Sequence, residues 1–184
     1  MNTSHGSAVL RNSGRRSAPI DAQLIAGADR HRKASAAWLR TPEVNIFIFS
    51  FLLNLAWEVW QVPYFRGVAD QPHWLGVKAC TQATFGDAGI TLAAFWVTAM
   101  VARTRGWILR PTRWDVAVFL GVGVVVTIVF EAQATGMFER WAYTDTMPRL
   151  PLLGTGLLPL LQWLALPPLV LWFVRRQIYP GPTK

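Results

Sequence analysis

The stretch Asn54-Leu55-Ala56-Trp57-Glu58-Val59-Trp60-Gln61-Val62-Pro63-Tyr64 decides how this chain is read. It closes an apolar run that begins near Val44 and takes in Ile46, Phe47, Ile48 and Phe49. A run of about 20 mostly apolar residues is long enough to cross a bilayer as a helix. Within it Asn54, Glu58 and Gln61 stand at i, i+4 and i+7, so they share one helix face. A carboxylate and two amides on one stripe of a membrane helix are costly unless they meet partners. The rest of the sequence is read for those partners.

Composition agrees with a membrane setting. Of the 184 residues, 52% are hydrophobic and 15% charged, with 10 Trp and 10 Phe, whereas soluble domains are about 25% charged. The length suits one domain. A single cysteine, Cys80, rules out a disulfide within the chain. Residues 1–20 contain no apolar core, so no cleavable signal peptide is expected and the first hydrophobic helix is expected to insert and stay.

Working outward, residues 1–43 read as a basic cytoplasmic arm. Its first 20 residues are rich in Ser, Asn, Gly and Arg and read as a disordered tail. Leu24, Ile25, Ala28, Ala36, Trp38 and Leu39 can make a weak amphipathic helix on a membrane surface; a solvated arm around Arg30-His31-Arg32-Lys33 is the simpler reading. Four apolar segments follow, at about 44–63, 83–102, 114–133 and 155–174, each close to one crossing in length. The expected fold is therefore an all-α membrane protein, a bundle of four transmembrane helices spanning 44–176, with a short tail at 177–184.

Charge placement gives the orientation. Of the 18 Lys and Arg, those at 103, 105, 110, 113, 175, 176 and 184 and all seven before position 44 fall on one side of the four-span arrangement. The other side holds Arg66, Lys78, Arg140 and Arg149. The positive-inside rule makes the basic side cytoplasmic, with both termini on it, in a bacterial inner membrane. The net charge of +8 is thereby a topology signal, and a nucleic-acid partner is not expected.

With that orientation all four segments deliver a polar group to the outer half of the bilayer. Asn54 falls near the middle, and Glu58 about 6 Å further out at 1.5 Å of rise per residue. Asp87 shares a face with Thr84 and Thr91; Glu131 follows Thr127 by four residues; Gln162 lies roughly 10 Å deep in the last segment. In the inner half only Asp115 stands out, at a helix end. Three carboxylates at similar depth cannot all ionise cheaply, so at least one is expected to keep its proton at neutral pH. A carboxylic acid beside a carboxylate is what general acid–base chemistry needs. Glu58, Asp87 and Glu131 are thus the candidate catalytic residues. Asn54, Gln61 and Gln162, with Trp141 and Tyr143 of the second outer loop, are the candidate substrate-binding residues.

Each feature also has a plainer reading. Polar side chains commonly hydrogen-bond membrane helices together, and Trp and Tyr commonly form interfacial belts. The aromatic outer loops, with Tyr64, Phe65, His73 and Trp74 in the first, otherwise make a lid over an amphipathic ligand. Gly154, Gly156 and Pro159 let the chain dip and re-enter, and Pro167-Pro168 is expected to kink the last helix.

Several chemistries are disfavoured. None of His5, His31 and His73 falls inside an expected span, which argues against haem ligation. No Cys/His cluster suits zinc, and neither a P-loop nor a G-x-S-x-G motif is present. No cofactor or metal is therefore expected; an all-oxygen Mg²⁺ site from Glu58, Asp87 and Glu131 is the weak exception.

The ordered set Asn54-Leu55-Ala56-Trp57-Glu58, Gln61, Pro63, Cys80, Gly86-Asp87, Glu131, Trp141-Ala142-Tyr143, Met147-Pro148, Gly154, Gly156, Pro159 and Gln162-Trp163 resembles a widespread group of small bacterial four-helix integral membrane proteins. That resemblance implies the fold and supplies no activity. A weaker likeness, on Glu131, Trp141, Tyr143 and Pro159, is to the lycopene-cyclase-like and carotenoid-hydratase-like membrane proteins. It implies protonation of an isoprenoid double bond by a buried carboxylic acid. The cyclase group usually carries acidic residues after that proline, where this chain has Leu161 and Gln162. Three functions follow: a membrane enzyme acting on an isoprenoid or other lipid, a small proton- or cation-coupled transporter forming homo-oligomers, or a structural or assembly subunit without catalysis.

Overall fold

Thr41 followed by Pro42 opens the first helix. Proline is favoured in the first turn, where its missing N–H is not needed. From there α1 runs Pro42–Gln61 and tightens into a 3-10 turn at Val62–Tyr64, around Pro63. The computed structural model describes residues 38–68, 70–133, 141–151 and 154–179. Three further helices follow: α2 (His73–Val101), α3 (Arg113–Ala132) and α4 (Leu157–Ile178). All four are long and apolar enough to cross a membrane, and among the described residues extended pairing is limited to two isolated bridges.

The boundaries differ from expectation at two places. α2 begins at His73, well ahead of the expected start near Ala83. The added turns hold Lys78 and Gln82, which lower hydropathy, and helix continues through them, Gly76 included, from the start that Pro72 gives it. His73 and Trp74 therefore belong to the helix and not to the outer loop, with His73 as its exposed first residue. At the far end α4 continues to Ile178, so Arg175 and Arg176 form its last turn, where they suit the negative end of the helix dipole. The helix is continuous through Pro167-Pro168. The expected amphipathic or disordered arm lies almost wholly outside the described residues. Of it, Trp38–Arg40 form an exposed 3-10 turn and Thr41, Pro42 and Glu43 lead into and open α1.

The helices run up, down, up, down. α1 packs on α2 and α4, and α3 on the same two, leaving α1 and α3 diagonal. One end of the bundle is apolar. There Ile46, Phe95, Phe119, Val170 and Val174 meet Trp107 and Ile108. These two residues come from the α2–α3 connection, a 3-10 turn at Arg105–Leu109 that folds inward. The Trp107 indole donates to the Phe95 carbonyl at 3.3 Å, which satisfies its polar edge inside the core. Arg103, at φ 55°, ends α2 in the left-handed conformation. Arg105 pairs with Glu43 at this end and lies over the Trp96 ring. Asp115 closes a capping box with Thr112 at the start of α3, which gives that acid a structural role.

The opposite end is polar inside and is closed by its loops. The Arg66 N–H donates to the Ala142 carbonyl at 2.8 Å, and the Thr144 N–H to the Tyr64 carbonyl at 3.0 Å. This stitches the two long connections together. Tyr143, Met147 and Leu158 form a small second core there, against Tyr64, Phe65 and Trp141.

Candidate functional site

At that end the polar residues of three helices join into one hydrogen-bonded set. The Gln162 amide of α4 spends both of its hydrogens, one on Asn54 Oδ1 of α1 at 2.7 Å and one on Asp87 Oδ2 of α2 at 2.8 Å. Asn54 donates onward to the Ser50 carbonyl at 2.8 Å and to Ser50 Oγ at 2.9 Å. Ser50 Oγ donates to Thr91 Oγ1 at 2.9 Å, and Thr91 returns to the Asp87 carbonyl at 2.8 Å. Ser50, Asn54, Thr91 and Gln162 are buried, and their mutual pairing offsets the cost that amides and hydroxyls left unpaired in an apolar bundle would carry.

Glu58 sits one turn beyond Asn54 on the same stripe. Its Oε1 accepts from Gln61 Nε2 at 2.8 Å, and the Trp57 indole donates to Gln61 Oε1 at 3.1 Å. The Glu58 carboxyl is also within hydrogen-bonding reach of Asp87 and Gln162. Asn54 and Glu58 of the expected stripe therefore meet partners on other helices, Gln162 for Asn54 and Asp87 for Glu58, whereas the hydrogen bonds of Gln61 stay within α1.

Glu131, in the last turn of α3, is held from outside the bundle. The Tyr143 phenol donates to its Oε2 and accepts from the Gly156 N–H at 3.1 Å. Burial, together with the Glu131 carboxyl beside it, pushes the Tyr143 phenol well above its ordinary value. Tyr143 is thus a neutral donor at any physiological pH. Gly156 packs closely on this contact: a Cβ there would lie 3.0 Å from the Tyr143 ring, which would have to give by a few tenths of an ångström. Arg149 flanks the other side of Tyr143, its guanidinium 5.3 Å from the ring centroid. The Trp141 indole stands beside the Glu131 carboxyl without closing a hydrogen bond of normal geometry.

These groups border a cavity of about 740 Å³, whose wall includes Glu58, Gln61, Asp87, Glu131, Trp141 and Gln162. Asn54 and Tyr143 stand behind that wall: Asn54 lines a small neighbouring crevice and Tyr143 supports Glu131. Among the described residues no group of three His, Cys, Asp or Glu side chains is arranged to hold a metal ion.

Other contributors were not singled out by sequence. Ser50 completes the buried ring of bonds, and its position four residues before Asn54 on the polar stripe was the available signal. Trp57 orients Gln61. Gly123 lets α3 approach α4, because a Cβ there would lie 2.0 Å from the Trp163 ring, and Trp163 in turn lines the cavity. No protein-family model matches the chain, and neither the curated proteins nor the solved structures contain a match.

Proposed function

We propose that this chain is a multi-pass protein of the bacterial inner membrane, with both termini cytoplasmic, that carries out acid–base chemistry on an isoprenoid or another lipid. The observation that carries the reading is the Glu58–Asp87 pair on the wall of the 740 Å³ cavity, with Glu131 bordering the same space. Two carboxyl groups side by side in an apolar setting are most stable sharing one proton, and on this reading that proton is the one delivered to the ligand.

Transferred to one carbon of a substrate double bond, that proton leaves a carbocation on the other. The carboxylates of the pair and of Glu131 stabilise the positive charge. Loss of a proton from a neighbouring carbon to Glu131 then gives a rearranged alkene, with no oxidant or reductant consumed. Gln162 and Gln61 fix the acids in place through the bonds described above. Tyr143 and Gly156 do the same for Glu131.

Transport is the second reading, and the direction of the hydrogen bonds counts against it. From Gln162 through Asn54, Ser50 and Thr91 every donor ends on a fixed acceptor, the last being the Asp87 carbonyl. That string holds no titratable side chain to pass a proton toward the other end of the bundle.

The test is an untargeted lipid and pigment comparison of cells carrying the gene, lacking it, and carrying Asp87→Asn or Glu58→Gln at equal membrane levels. The expected result is a lipid species present with the wild-type gene and absent from the other cells. Profiles that are the same in all of them remove the catalytic reading.

A further inference from the structure

Glu58 and Asp87 are each held by an amide, and each amide is held in turn by a group that bonds in one sense only. A carboxamide can meet a neighbour with its oxygen or with its N–H groups, and the surrounding network decides which. The Trp57 indole is a donor only. Gln61 must therefore turn Oε1 toward it, at 3.1 Å, which leaves Gln61 Nε2 for Glu58 Oε1, at 2.8 Å. On the Asp87 side the fixed group is the Ser50 carbonyl, an acceptor only. Asn54 must turn Nδ2 toward it, at 2.8 Å. Asn54 Oδ1 then requires an N–H from Gln162, at 2.7 Å, and the same Gln162 Nε2 donates to Asp87 Oδ2 at 2.8 Å. Gln61, Asn54 and Gln162 are all buried, so an amide turned the other way loses its bonds without replacement.

Both strings end on a carboxyl oxygen that has to accept. An oxygen that bears a proton is a weaker acceptor than a carboxylate oxygen. We propose that the Trp57 indole and the Ser50 carbonyl fix the seat of the proton shared by the acid pair: it is kept off Glu58 Oε1 and Asp87 Oδ2 and confined to the other two oxygens, Glu58 Oε2 and Asp87 Oδ1. Trp57 is thus a positioning residue that acts through Gln61. The proposal rests on the acid–base reading of the preceding section and names the atoms that deliver the proton. It also gives the two amides a task after delivery. Each carboxylate left behind keeps its N–H donor, and that bond strengthens as negative charge develops.

The experiment is infrared difference spectroscopy of the full-length protein in lipid nanodiscs, reading the C=O stretch of protonated carboxyl groups, which moves on exchange into deuterated water. One such band is expected in the wild type that Asp87→Asn and Glu58→Gln each remove or displace, which assigns it to the pair. Replacing Trp57 by 3-benzothienylalanine keeps the ring outline and takes away the N–H. The band is expected to shift, because Gln61 is then free to turn its oxygen to Glu58 and draw the proton to Oε1. Trp57→Phe is expected to do the same. In a Gln61→Leu background neither replacement is expected to move the band further, since Trp57 acts through Gln61. Trp60 packs on Trp57 with ring centroids 5.4 Å apart and is 55% exposed; the same replacement there is expected to leave the band in place. An unmoved band on replacing Trp57, or an equal shift in the Gln61→Leu background, overturns the role of Trp57. Absence of a pair band from the wild type overturns the shared proton itself. None of these readouts depends on turnover. A band that behaves as expected with unchanged cell lipids would keep the seated proton and remove the catalysis, whereas altered lipids with an unmoved band would keep the catalysis and remove the role of Trp57.

Discussion

Gln162 ties the site together, because one side-chain amide holds an amide on α1 and a carboxyl on α2. Replacing it by Leu removes two donors and leaves Asn54 Oδ1 and Asp87 Oδ2 without them in a buried setting. The expected cost is about 1–2 kcal/mol of stability, in line with interhelical polar contacts in membranes. It is checked by denaturant titration of Gln162→Leu in detergent, and an unchanged midpoint would contradict the geometry. At this scale the sequence was informative where a polar residue interrupted an apolar run. Asn54, Glu58, Gln61, Asp87, Glu131 and Gln162 were legible for that reason, since such residues in lipid require partners. Ser50 and Trp57 were not, because Ser and Trp are ordinary in apolar helices. The partner each acid would choose, Asp87 for Glu58 and Tyr143 for Glu131, depends on packing that spacing alone does not contain.

Between elements, the closest constraint is Gly123 of α3 against Trp163 of α4. Any side chain at 123 must displace that ring or part the helices. Gly123→Ala is expected to destabilise the protein by about 1–3 kcal/mol, the usual range for overpacking. Trp163→Leu should relieve most of this in the double variant, because contacting sites are not additive. Additive losses in thermal unfolding would show that the two residues do not touch. The length of the apolar runs placed α1 within two residues and α3 within one at each end, whereas α2 was cut short. Hydropathy reads the apolar part of a helix, and the first turns of α2, with Lys78 and Gln82, are too polar to be counted in it although they are helical. The inward-folded connection with Trp107 and Ile108 could not be seen in sequence either: its two core residues sit between arginines that read as a surface loop.

For the whole molecule, four helices packed in alternating directions bring α1, α2, α3 and α4 together at one polar end and leave the other end closed by apolar side chains. The polar end is the one with few basic residues. If the arginine-rich end is cytoplasmic, reporter fusions at either terminus should behave alike: a cytoplasmic reporter active at both, a periplasmic reporter at neither. Opposite behaviour of the two termini would break the four-span arrangement. The central claim is that acids from separate helices meet in one cavity, and oxidative cross-linking in native membranes tests it most directly. In a Cys80→Ala background, Glu58→Cys combined with Asp87→Cys is expected to form a disulfide under mild oxidant. Val59→Cys with Asp87→Cys, whose first position is 61% exposed on another face of α1, is expected not to. Absence of the first cross-link, or equal formation of both, would contradict the convergence on which the proposed chemistry stands.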